Sequence, residues 1–113
     1  MDAPALIVMC TVPNKDVGLA LARSLVGARL AACVNLVPGL TSVYRWQGAI
    51  HEDGESLLVI KTTAARLDAL RLRIVAEHPY DVPEIVAIET ASVHEPYLAW
   101  LVACVEPGAE DSR

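Results

Sequence analysis

The stretch Glu77-His78-Pro79-Tyr80-Asp81-Val82-Pro83-Glu84 gathers the densest set of reactive groups in the chain. Pro79 and Pro83 fix their own φ angles and stiffen a segment that presents an imidazole, a phenol and several carboxylates. Rigid, clustered polar groups suit a binding site. The same prolines would equally serve to end a helix and aim the next strand, with the polar side chains in solvent. Elsewhere the chemistry is dispersed. Lys61 closes an apolar run, where it either reaches past apolar neighbours to water or meets Glu84 or a bound anion in a cleft. Trp46 and Tyr44 could stack a ligand or anchor a contact between subunits.

Metal ligation is the chemistry these residue types allow most readily. The chain has 3 cysteines, 3 histidines and 14 acidic residues, and Cys with His would suit copper or zinc. No local spacing selects a site. Cys10 lies in an apolar strand, Cys104 on the apolar face of a helix, and Cys33 after Ala31-Ala32, so each reads as a core thiol. His51 and His94 stand beside Glu52 and Glu95 in turn or cap regions and read as solvated.

There is no nucleophile elbow, no Gly-rich phosphate loop and no His-Glu-x-x-His, so no catalytic residue is assigned and no enzyme or organic cofactor is expected. An acid–base pair between Lys61 and a carboxylate is the one cryptic alternative. A net charge of -5 argues against a nucleic-acid partner, which would call for a basic face. Hydrophobic residues reach 54% against 20% charged, more apolar surface than one small core needs, and self-association would absorb the excess. The odd cysteine count without a Cys-x-x-Cys pair fits a reducing cytoplasm. Met1-Asp2-Ala3-Pro4 lacks the basic start of a secretory signal, and no apolar run approaches the length of a membrane span.

The elements that must position these residues follow from periodicity. Ala5 to Thr11 is a short apolar run, a strand ended by Pro13-Asn14. Asn14 can cap a helix running to about Arg29, with Val17, Ala20, Leu21, Leu25 and Ala28 on one stripe. A strand from Ala32 to Val37 meets a turn or bend at Pro38-Gly39, and alternation from Leu40 to Ile50 predicts another strand. Asp53-Gly54 reads as the hairpin turn, returning as Ser56 to Ile60. Thr63 can cap a helix carrying Leu67, Leu70 and Ile74, which must stop by His78 because Pro79 follows. Ile85 to Ile88 is a last strand, and the pair Ser92 and Glu95 announces a final helix with Tyr97, Trp100, Leu101, Cys104 and Val105 buried. The order predicts an α+β, ferredoxin-like βαββαβ sandwich with a long β-hairpin and an extra C-terminal helix over residues 1–106, followed by a polar tail at 107–113 that frays. With helices on one face only, the other apolar face argues again for an oligomer.

Six collinear segments then acquire a family likeness: Val8-Met9-Cys10-Thr11, Leu30-Ala31-Ala32-Cys33-Val34-Asn35, Pro38 to Trp46, Ile60-Lys61-Thr62-Thr63, His78 to Glu84, and Tyr97-Leu98-Ala99-Trp100-Leu101. Together the chain resembles the CutA divalent-cation tolerance proteins. The resemblance implies a tight homotrimer, with hairpins pairing across subunits in an architecture like that of the PII signalling proteins. It further implies tolerance of divalent metals, copper above all, with Cys10, His78 and Glu84 as metal ligands in inter-subunit clefts. In family members with two histidines before the first proline, the first is the proposed ligand; Glu77 stands there in this chain. Either His78 takes over, or the copper site is weakened or replaced by a harder one, since Glu77 with Glu84 would favour an oxygen-preferring ion over Cu(I). The alternative is a PII-like signalling module whose clefts use Lys61, Tyr80 and Trp46 to hold a small anionic metabolite or a partner protein.

Overall fold

The computed structural model describes residues 5–106, so the tail expected at 107–113 lies outside the described residues. Eight residues, Ala5–Val12, form β1, and their alternating burial places Val8, Cys10 and Val12 on the face that meets the helices. Helix α1, Lys15–Gly27, starts at the expected cap: the Asn14 side chain accepts from the Val17 N–H at 2.9 Å. It lies close to the sheet because Gly18 has no side chain; a Cβ there would sit 2.8 Å from Leu36 Cδ1 and 3.0 Å from Val12 Cγ2.

Strands β2, Cys33–Trp46, and β3, Ala49–Thr63, are one long antiparallel hairpin. Its turn is Gln47-Gly48, with φ of 49° and 80°, the pair of left-handed residues that a two-residue hairpin turn requires. This corrects the expected turn at Asp53-Gly54, which lies inside β3 opposite Ser42 and Thr41. Pro38-Gly39 does not end a strand. The register shifts between Val37 and Leu40, so the two residues form a bulge, which the left-handed Gly39 (φ 80°) accommodates.

A single 3-10 turn, Ala64–Arg66, leads into α2, Leu67–Glu77; Thr63 stands at the start of that turn without a side-chain cap bond. His78 ends α2 in extended conformation, as a residue before proline must. Strand β4, Val86–Glu89, follows the proline segment, and α3, Glu95–Val105, completes the described chain. The cap of α3 is His94 without a side-chain bond, and Pro96 fixes its first turn, so the expected pairing of Ser92 with Glu95 does not form.

The sheet order is β2-β3-β1-β4 with every neighbour antiparallel, which is the ferredoxin-like arrangement. On one face Val8, Cys10, Val12, Leu58 and Ile60 pack with Leu21 and Leu25 of α1 and Leu70 and Ile74 of α2. A second cluster joins Leu101, Cys104 and Val105 of α3 to Ala5 and Ala32, while Tyr97 and Trp100 are only half-buried against it. The opposite face carries Ile7, Met9, Leu57 and Val59, with Val86 and Ile88 exposed beside them. The hairpin stretches the molecule to 45 × 27 × 23 Å.

Candidate functional site

A cleft of about 400 Å³ opens where the proline segment crosses the end of β1 and faces the hairpin, lined by residues that include Thr11, Tyr44, Trp46, Glu55, Tyr80 and Glu84. Register explains the hairpin's contribution. Beyond the bulge, Leu40 pairs with Glu55, Ser42 with Asp53 and Tyr44 with His51, so these side chains share one face of the hairpin. Tyr44 donates its hydroxyl to Asp53, and its ring stacks on His51 at 5.5 Å.

The segment itself is fixed by His78, a buried residue between two backbone groups. The Tyr80 N–H donates to Nδ1 at 3.1 Å, so that nitrogen is unprotonated; Nε2 therefore carries the proton and donates to the Thr11 carbonyl at 2.8 Å. This tautomer welds the proline segment to β1. Tyr80 packs its ring on His78 at 4.7 Å and donates its hydroxyl to Glu55 at 2.6 Å. Burial first, then the bond to Glu55, push the Tyr80 phenol well above its ordinary range, so it stays a donor. Glu55 is only 9% exposed, which makes that donor its main compensation for leaving water.

The expected residues separate into three groups. Glu84, Tyr80 and Trp46 come together in the cleft. Cys10 and His78 are close by but turned to other tasks. Cys10 is fully buried in the core, and burial, aided by Glu84 and Glu55, raises its thiol to about 12. Both nitrogens of His78 are engaged. Cys10, His78 and Glu84 therefore do not form a ligand set within one chain, and among the described residues no group of three or more His, Cys, Asp or Glu could by itself hold a metal.

Lys61 is the third case: it sits opposite Ile7 and Cys33, well along the sheet from Thr11, and donates to Asn35. Glu77 also turns away, accepting from Ser24 at 3.0 Å and pairing with Arg73 at 3.4 Å. Among the described residues the cleft lining includes Glu55, Asp81 and Glu84 and no lysine or arginine. Its charge suits a cation and not the anion that Lys61 would have served. The residue missed from sequence is Glu55. Its signal was the spacing Asp53, Glu55, Leu57 on one strand face, hidden once the turn was placed at Asp53-Gly54.

Known proteins place the chain in the same terms. The sequence profile of the CutA1 divalent ion tolerance protein family matches residues 6–104. The divalent-cation tolerance protein CutA of Thermus thermophilus is 54% identical over 95 residues, covering 84% of this chain and 92% of that protein. The human protein CutA is 45% identical over 91 residues, 80% of this chain but 51% of its own length. The chloroplastic CutA 1 of Oryza sativa is likewise spanned over only 55% of its length, at 49% identity. Among solved structures, CutA1 from Oryza sativa superposes with a TM-score of 0.89 at 45% identity, covering 94% of this chain and 97% of that one. The divalent cation tolerance protein from Thermus thermophilus gives 0.85 at 52% identity, covering 87% and 95%. With its sequence, strand order and shape in agreement, the chain belongs to the CutA1 divalent ion tolerance family.

Proposed function

We propose that this protein contributes to divalent-cation tolerance by binding the ion in its acidic cleft, as a homotrimer without catalytic activity. The observation that carries this reading is a lining of Glu55, Asp81 and Glu84 with no lysine or arginine among its described residues. Oxygen donors of this kind suit hard divalent ions, which take one or two carboxylates and retain water in their remaining positions. With Cys10 turned into the core and both His78 nitrogens engaged, a soft Cu(I) site is disfavoured, and Cu(II) would compete only as one more oxygen-bound cation. A neighbouring copy against the exposed Val86, Ile88 and Val37 would complete the trimer and wall the cleft from its open side. Cys10 and Cys33 are free thiols, in keeping with a reducing cytoplasm.

Equilibrium dialysis with Mn(II), Zn(II) and Cu(II) tests the assignment. Glu84→Gln, at an exposed position, should weaken binding by about tenfold or more through loss of a charged ligand. Cys10→Ala should leave binding unchanged. Loss of binding in Cys10→Ala with retention in Glu84→Gln would move the site to the thiol and overturn the reading.

A further inference from the structure

A bare divalent ion leaves much of the cleft unused. At about 400 Å³ the cleft has the size of a small-molecule site. An ion whose ligands stand at roughly 2.0–2.6 Å needs only a fraction of that space. Its walls also carry the rings of Tyr44, Trp46 and Tyr80 beside the carboxylates. Aromatic faces add little to a hydrated metal ion, whereas they attract a cation that bears apolar substituents and sheds its water cheaply.

The rings are also held in place. Tyr44 is tied through its hydroxyl to Asp53 and stacked on His51, and Tyr80 is tied to Glu55 and packed on His78. A ligand arriving between them meets surfaces that need little ordering, which is where binding free energy is otherwise lost. Glu55 and Glu84 supply countercharge, Glu55 from a position shielded from solvent and Glu84 from the exposed rim. Aromatic surface, shielded carboxylate and a volume beyond that of an ion form one combination.

We propose that the cleft binds an organic ammonium ion, a small alkyl-substituted amine whose charge faces Glu55 and Glu84 and whose alkyl groups rest on Trp46 and Tyr44. This rests on the reading of the cleft as a cation site and names a second class of cation for it. Metal and ammonium would share the carboxylates and compete; only the ammonium depends on the rings.

Tetramethylammonium chloride is the probe, observed through its methyl resonance by saturation-transfer NMR, with sodium chloride holding the ionic strength constant. Wild-type protein should show saturable binding. Trp46→Leu and Glu84→Gln should each weaken it about three- to tenfold, the range expected of one aromatic face or one charge. Titration of the same samples with Mn(II) should show Trp46→Leu retaining its metal affinity while Glu84→Gln loses it. Absence of saturable binding in wild type, or binding unchanged in both variants, overturns the inference. Metal binding without tetramethylammonium binding removes this inference and leaves the metal reading standing; failure of both removes both.

Discussion

At neutral pH the Cys10 thiol stays protonated, because burial, with Glu84 and Glu55 nearby, pushes its pKa up to about 12 from the ordinary 9.0. The folded state thus holds this proton more tightly than the unfolded chain. The stability linked to it is complete below pH 9 and is lost as pH rises from 9 toward 12. Thermal unfolding followed against pH should show Tm falling above pH 9, with a shallower fall in Cys10→Ala. The thiol should also resist a disulfide reagent in native protein and react once urea unfolds it, while half-buried Cys33 reacts sooner. Tyr80→Phe removes the donor that compensates buried Glu55 and should cost about 1–2 kcal/mol in urea unfolding. That cost should largely disappear if Glu55 is made Met in the same chain, since no buried acceptor is then left unpaired. The sequence made Cys10, His78 and Glu84 visible as ligand types, yet it could not reveal that a carbonyl of β1 and an amide of the loop already occupy the imidazole. Hydrogen bonds to backbone leave no trace in residue identity.

For the elements, local signals were reliable wherever a cap or a proline set a boundary, as at Asn14 and His78. They failed where pairing over distance decided. Asp53-Gly54 has the better turn composition, but placing the turn there would shift the pairing that puts Leu57 and Val37 opposite each other and move apolar residues off their faces. Gln47-Gly48 turns instead, with both residues left-handed. Gly48→Val should therefore destabilise the protein by about 1–2 kcal/mol, since a β-branched residue is strained at that φ. An equal substitution at Gly54, which lies in regular strand, should be far milder. Inside α1, Gly18→Leu should cost about 2 kcal/mol or more, because its side chain would enter space held by Leu36 and Val12. Urea denaturation of the three variants separates these expectations.

Across the whole molecule, α1 and α2 cover one sheet face, while Val37, Val86 and Ile88 on the other stay between 42% and 50% exposed. So much apolar surface favours a partner, and a homotrimer would give a light-scattering mass three times the 12.1 kDa of the chain. A monomer at micromolar concentration would count against it. The same assembly would shelter the cleft, where Glu84 and Asp81 stand at the exposed rim and Glu55 lies beneath Tyr80, accepting its hydroxyl. The most direct test is an anomalous difference map from crystals soaked in Mn(II). A peak is expected in the cleft within coordination distance of the Glu84 carboxylate, with water completing its shell. A peak on the sulfur of Cys10 or the imidazole of His78, or no peak in the cleft, would contradict the assignment.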